Sequence, residues 1–420
     1  MEGAPLQGVN RSEPFKGNAR SICSHICIAM SMGVRFNSRP AMIRLMASAP
    51  NRYGYNILHI GKFYPPHAGG MEMHLHDLAT RQAQSANVHV IVSNHRMRTE
   101  RCEKEAVTIT RVSRLASIAS MPICLGLSFA IRRSQADIIH IHTPNPGAAL
   151  AYLLSGHRGK LVVTHHADTI GRRFLRRISD PIVSQMMTRA SRILVTSRRY
   201  LESSPELAAF RAKCSVVPLG IEPQLAASAD PVSTDRLRKQ FPRGFILAVG
   251  RLVPYKGFDV LIRAMKLIDS KLLLIGSGPL DDELKRLASL EGVREKVMMV
   301  GRVNDTRPYF AAASIFVLPS ISRAEAFGIV QLEAMAAGIP VINTNIDSGV
   351  PEICPGGETG LNVPPGDPIA LSQAIQWLLD RKDLRERFGQ IAKAKVKAEY
   401  SADLMCARTM QIYDEVLHDS

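Results

Sequence analysis

FILAVGRLVPYKG, residues 245–257, decides the fold. The apolar run Phe245–Val249 between Gly244 and Gly250 reads as a strand, and the residues from 257 onward read as the helix that follows it. The same unit then repeats. Leu272–Ile275, Val297–Val300, Ile315–Leu318 and Val341–Asn343 are further strands, with helices over 257–268, 280–291, 328–337 and 369–380 between them. Strands alternating with amphipathic helices predict an α/β fold with a doubly wound parallel sheet. Upstream, from Tyr55, an independent array shows the same alternation: strands Asn56–Ile60, Val88–Val92, Ile138–Ile141, Leu161–Thr164, Ile193–Thr196 and Val216–Pro218, with helices over 71–84, 147–155 and 175–190. The Ala/Ser/Pro-rich stretch Gln224–Ser233 reads as a linker. Two Rossmann-like domains follow, 53–225 and 226–400, facing a central cleft. A last helix over 403–417, in the segment 401–420, is expected to pack back towards the first domain.

The size of the chain, 420 residues, accommodates two cores of this kind. A formal net charge of +16 favours anionic partners. Nucleic acid has only that charge behind it, because no zinc-finger spacing, RNP-type aromatic motif or helix-turn-helix pattern accompanies it. Seven cysteines, at 23, 27, 102, 124, 214, 354 and 406, show no repeated metal-like spacing and read as reduced cytosolic thiols. Residues 1–52 carry seven Arg/Lys against two acids and are expected to be a disordered leader. A transit-like segment, or a true start at Met42 or Met46, remains an alternative there. The uncharged run Leu115–Ile131, interrupted by Pro122, falls short of a membrane span and is expected to form a buried helix.

Ligands of open parallel sheets sit at the carboxyl ends of strands, where helix N-termini offer unpaired amides. Four strand-end segments carry chemistry there. Gly69-Gly70 precedes a helix and lets backbone approach an anion. Arg251 follows a strand while Lys256 precedes a helix start, a place that ordinarily prefers acids, so an anion such as a diphosphate accounts for both cations. Glu325 lies at the start of helix 328–337 and Glu333 two turns inside it, suited respectively to sugar hydroxyls and a ribose diol. His140, His142, His165, His166 and Asp168 cluster at two adjacent strand ends. They suit a metal or oxygen-rich ligands, and the missing metal-ligand spacing favours the second.

Taken together, these motifs resemble the GT-B-fold glycosyltransferases of family 4, the glycosyl transferases group 1, over roughly residues 55–400. The most specific match is the E-x7-E pattern Glu325–Glu333, then Gly250-Arg251-Leu252 with Lys256-Gly257, then Gly276-Ser277-Gly278-Pro279; Gly69-Gly70 and His165-His166-Ala167-Asp168 match more loosely. The resemblance implies that Arg251 and Lys256 hold the donor diphosphate and Glu333 the ribose. Glu325, with the amides around Phe327, Gly328 and Ile329, holds the donor sugar, and Gly278 lies at the same site. Gly70 faces the phosphates, His166 lies beside the reacting sugar, and Gly69, His142 and Asp168 stand on the acceptor side. Such enzymes retain anomeric configuration and need neither metal nor cofactor beyond a nucleotide diphosphate sugar, with GDP and UDP both open. Ala326 departs from the family's usual Pro or Gly, and the basic leader has no counterpart in it.

Basic segments at Arg172-Arg173-Phe174-Leu175-Arg176-Arg177 and at Arg189, Arg192, Arg198 and Arg199 suit an anionic membrane surface, on the cytoplasmic side. A lipid-linked or polysaccharide acceptor in envelope glycan synthesis is the expected partner. A nucleotide-sugar epimerase or hydrolase on the same fold, and a basic nucleic-acid binder, are the competing expectations.

Overall fold

The structure, a computed structural model, describes residues 54–67, 69–118, 121–168, 173–224 and 228–419, with the side chains of 118 and 173–176 outside that set. The leader 1–52, Cys23, Cys27 and the side chains of Arg172 to Arg176 thus lie outside the described residues.

Ten strands come from the first half: β1 (Asn56–Ile60), β2 (Asn87–Ser93), β3 (Glu100–Lys104), β4 (Val107–Val112), β5 (Ala116–Ile118), β6 (Met121–Ile123), β7 (Ile138–Thr143), β8 (Lys160–His165), β9 (Arg192–Val195) and β10 (Cys214–Val216). Eight of them form one sheet in the order β10-β9-β8-β7-β1-β2-β4-β3, parallel except at the β3 edge. The second half contributes β11 (Ile246–Val249), β12 (Leu272–Ile275), β13 (Val297–Gly301), β14 (Ile315–Leu318), β15 (Val341–Thr344) and β16 (Gly360–Val363). They form a wholly parallel sheet in the order β13-β12-β11-β14-β15-β16. Central strands such as β1, β7 and β11 are apolar runs because helices cover both faces, and Leu58, Ile139 and Ile246 have no exposed surface. Each sheet has a layer of core on either side.

The strand order reverses between β1 and β7 in one sheet and between β11 and β14 in the other. Those two reversals position the site, since a crevice opens beyond the carboxyl ends of strands whose connections depart in opposite directions.

The helix Ala402–His418 follows the second sheet in sequence, yet its Met405, Met410, Tyr413 and Val416 are buried with Leu75, Leu78 and Val90 in the first sheet's core. Tyr55 O–H donates to the Asp414 carboxylate from the same helix, 3.3 Å away.

The expected buried helix over 115–131 is overturned. Ala116–Ile118 and Met121–Ile123 pair as the antiparallel strands β5 and β6, where Ser117 pairs with Pro122, and among the described residues of that run only Leu127–Arg132 is helical. Pro122 has no amide to donate and so sits in a two-stranded ribbon rather than inside a helix. Leu127 and Ile131 face the core while Leu125 and Phe129 are exposed. The expected linker is also shorter: Asp230 caps a helix Pro231–Gln240 by accepting from the Ser233 amide. Strands β3, β4 and β16 and the helices Arg307–Ala312 and Lys382–Glu399 had no sequence counterpart. Among the described residues no helix is long and apolar enough to cross a membrane. The five described cysteines are all unpaired.

Candidate active site

The loop after β11 is folded down on its neighbours by two glycines. Gly257 has φ +66, and a β-carbon there would stand 2.1 Å from the Pro319 carbonyl oxygen. Only glycine lets the Tyr255-Lys256-Gly257 turn lie against the segment after β14. A β-carbon on Gly278 would likewise stand 2.4 Å from the Leu252 carbonyl oxygen, so the turn after β12 rests on the Arg251–Leu252 backbone. The backbone amide of Ile321 donates to the Tyr255 carbonyl at 2.9 Å, closing the contact.

This packing brings Lys256 to Glu325. The ammonium lies 2.5 Å from Glu325 Oε2, and both residues are only 8% exposed. The Ser320 hydroxyl donates to the same oxygen at 3.1 Å. A buried ion pair of this kind is costly to desolvate and is held by further hydrogen bonds. Tyr255 borders the pair; burial and then the Glu325 charge push its phenol above the ordinary range.

Arg251 is exposed, and its charge is felt at Lys62, which follows β1 of the first sheet. Burial pulls the Lys62 amine below the lysine range, with the positive charge of Arg251 adding to that effect and Glu72 opposing it. Lys62 directly follows β1, where the first sheet reverses, and lines a small pocket with Gly61, Glu72 and His142. Sequence reasoning missed Lys62. The signal was present: Gly61-Lys62 stands to β1 as Gly250-Arg251 stands to β11.

The block Glu325–Glu333 is held from behind. Gly328, at φ +70, leads into the helix Ile329–Ala336, whose first amides have no acceptor within the helix. The side chain of Phe327 packs into the second core, so its backbone, not its ring, faces outward. Gln331 is fully buried and donates to the carbonyls of Phe327 (3.0 Å) and Val350 (3.2 Å), while Asn343 donates to Gln331 Oε1 at 3.0 Å. Neither Gln331 nor Asn343 was singled out from the sequence. Glu333, the fifth residue of that helix, is partly exposed, yet burial pushes its carboxyl up to about 7. Ala326 is buried in the first domain's core cluster, and its carbonyl accepts from the Gly349 amide at 2.8 Å.

Across the cleft, Gly70 begins the helix Gly70–Gln82, and a β-carbon on it would approach the Ile329 side chain at 3.9 Å. Gly69 has extended backbone and is covered by the Glu72 carboxylate. His166 and His142 are both buried, and His142 Nδ1 lies 3.2 Å from His166 Nε2. Burial holds both imidazoles well below their ordinary range and hence neutral. The Asp168 carboxylate is engaged by the protein itself: His165 Nε2 at 3.2 Å, the Ser204 hydroxyl at 2.5 Å and Arg323 Nη2 at 2.6 Å. The Arg323 contact joins the two halves, and all three engage the Asp168 carboxylate with the protein itself. Further joints are Glu352, which accepts from the Arg198 and Arg199 amides at 3.2 and 2.8 Å, and the Arg199–Asp347 ion pair at 3.2 Å.

Among the described residues, His59/His140/His142, His74/His142/His166 and His165/Asp168/Glu206 each bring three possible metal-ligating atoms within 4.8 Å of one another. His142 hydrogen-bonds both His59 and His166, and Gln82 takes the other nitrogen of His59, which accounts for the ring nitrogens of His59 and His142 without an ion; His74 is buried with neither ring nitrogen hydrogen-bonded among the described residues.

The comparisons agree with this geometry. The family model for the glycosyl transferases group 1 matches residues 234–395, and that for Glycosyltransferase Family 4 matches residues 68–225. The chain is 33% identical to D-rhamnosyltransferase WbpZ of Pseudomonas aeruginosa over 64% of its own length and 71% of that protein. It is 28% identical to O-antigen chain mannosyltransferase C of Escherichia coli over 86% of its length and 98% of that protein. Among solved structures, Anabaena HepE in complex with UDP-glucose superposes with a TM-score of 0.71 at 19% identity, covering 86% of this chain and all (100%) of that one. Two facing parallel sheets, a cation-bearing turn after β11 and a glutamate pair spanning one helix start thus coincide with both family models in their proper order, and the chain belongs to the glycosyl transferases group 1, glycosyltransferase family 4, with the GT-B fold.

Proposed function

We propose that this protein transfers a mannose-like hexose, with retention of anomeric configuration, from a nucleotide diphosphate sugar to a hydroxyl of a lipid-linked or polysaccharide acceptor in cell-envelope glycan synthesis. The observation that carries the reading is the Lys256–Glu325 pair, 2.5 Å apart at the reversal of the second sheet, with Arg251 and Lys62 converging from the two sides. Arg251 and Lys256 bind the diphosphate, and the Ile329 helix start adds its dipole. Charge that develops on the leaving phosphate meets groups already in place. Glu333 accepts the ribose hydroxyls. Glu325 binds the sugar while its other side stays on Lys256. A carboxylate so engaged is a poor free nucleophile, which supports same-face attack in which the departing phosphate takes the acceptor's proton. Cations supply the charge that a metal supplies elsewhere, so chelators leave the rate unchanged. The names of the relatives, a rhamnosyl- and a mannosyltransferase of which one acts on O-antigen chains, support the sugar and acceptor class. An acceptor of that kind places the enzyme at the inner face of the cytoplasmic membrane, on its basic surface.

Thermal melting with UDP, GDP and ADP sugars tests this. A ligand at a hundred times its Kd adds about 2.7 kcal/mol to stability. One nucleotide class is expected to raise the melting temperature of the wild type, and Lys256→Ala to abolish the shift. A melt unmoved by every nucleotide sugar, or hydrolysis of the donor unaffected by any acceptor, refutes the transferase reading.

A further inference from the structure

Four buried side chains of the first domain form a continuous hydrogen-bonded line. Gln82, with no exposed surface, ends the helix Gly70–Gln82, and its Oε1 lies 2.6 Å from His59 Nε2. His59, in the middle of β1, places Nδ1 3.1 Å from His142 Nε2. His142 Nδ1 then meets His166 Nε2 at 3.2 Å. Within the line, the rings are close to parallel, at 27° and 22° to one another. Burial brings His59 down to about 4 and His142 and His166 well below the ordinary range, so each ring carries one proton.

A neutral imidazole has one donor and one acceptor nitrogen. In a line of three, the choice at one end therefore fixes every ring. Gln82 turns its carbonyl oxygen to His59, which must donate from Nε2 and accept at Nδ1. His142 then donates from Nε2, accepts at Nδ1, and receives the Nε2 proton of His166. The remaining atom is His166 Nδ1, which has no hydrogen-bond partner among the described residues and is left without a proton. The Gln82 Nε2 amide is buried and makes no hydrogen bond among the described residues, while the nearby hydroxyl of Tyr413, a fully buried residue of the Ala402–His418 helix, is hydrogen-bonded to His140 Nδ1. His140 Nε2 is taken by Thr164 Oγ1 at 2.6 Å, so that branch is closed off from the line.

We infer that Gln82, His59 and His142 are positioning residues that set the tautomer of His166, so that its bare Nδ1 accepts a hydrogen bond from a sugar hydroxyl in the cleft. The inference rests on the transferase reading for the identity of that hydroxyl, but the tautomer itself stands on the first domain alone. It predicts selectivity for a hydroxyl over a hydrogen or methoxy group at the contacted sugar carbon, because an acceptor nitrogen with no donor opposite it is left unpaired.

Nitrogen-15 NMR on histidine-labelled full-length protein reads the tautomer directly. Wild type is expected to show His166 with a protonated Nε2 and an unprotonated Nδ1, assigned by its loss in His166→Ala. Gln82→Met, isosteric but unable to accept from His59, is expected to give a mixture of both tautomers. It should lower kcat about tenfold, the effect of one hydrogen bond of 1.4 kcal/mol, with the donor-induced melting shift retained. A protonated Nδ1 in wild-type His166 overturns the inference even if Gln82→Met fails to fold. So does a Gln82→Met protein whose His166 tautomer is unchanged. Loss of all nucleotide-sugar binding in wild type, with the tautomer as stated, refutes the transferase reading and leaves the histidine line intact.

Discussion

Glu333 shows what a single environment does to a single carboxyl. Burial alone raises it from 4.5 to about 7. A group held protonated below neutrality cannot accept two ribose hydroxyls, so donor binding should weaken as pH falls below about 7, by up to tenfold per unit. Stability runs the other way. Between 4.5 and about 7 the folded chain keeps a proton that the unfolded chain has released, so this residue's contribution to stability falls as pH rises across that window. Glu333→Gln should flatten both slopes. Donor titrations and melting curves at pH 5.5, 6.5 and 7.5 on both proteins check this, and parallel profiles in the two would contradict it.

Individual elements differ in how much of them the sequence discloses. The turn after β11 is legible as the seat of a cation that needs an anion, but the anion set against Lys256 in the structure is the chain's own Glu325, where the sequence reading expected a diphosphate. The Gln331–Asn343 contact is not legible. It joins two neutral amides 12 positions apart, and nothing about either residue signals its partner until β15 is placed beside β14. Polar, mostly exposed Glu100–Lys104 reads as loop because its strand character comes only from its pairing with β4. The β5–β6 pair escapes for the opposite reason, since an apolar stretch of that length suits a helix until proline is given its due. Gln331 should matter to the element it supports. Gln331→Leu leaves the Phe327 carbonyl without its donor and one hydrogen bond of Asn343 unmade. A loss of about 1–3 kcal/mol in denaturant unfolding is expected, together with weaker donor binding, because Phe327 leads the helix start that the sugar meets. A stable variant with unchanged donor affinity would show that the amide pair serves packing alone.

At the scale of the whole molecule, the two sheets are joined beside the cleft by contacts that sequence motifs do not announce. Arg323, in the loop after β14, lies 2.6 Å from Asp168 and 5.4 Å over the Tyr200 ring, and its guanidinium also donates to the Ser203 carbonyl. Burial alone would raise the Asp168 carboxyl; the His165 and Ser204 hydrogen bonds and the Arg323 charge outweigh it and hold it below its usual range. Asp168 was legible as a polar residue at a strand end, but which half of the molecule it would face depends on the approach of the two sheets. Arg323→Ala should let them separate. A larger radius of gyration by small-angle scattering, and a raised donor KM at nearly constant kcat, are the expected readouts; an unchanged radius would show that the Glu352 and Asp347 contacts suffice. The helix Ala402–His418 carries a different consequence. Since Tyr413 and Met405 complete the core around β1 and β2, the first sheet cannot bury that face until the helix Ala402–His418 has been made. Separately expressed halves cut near residue 228 should therefore be insoluble apart, unless the seventeen residues of that helix are carried over to the amino-terminal piece.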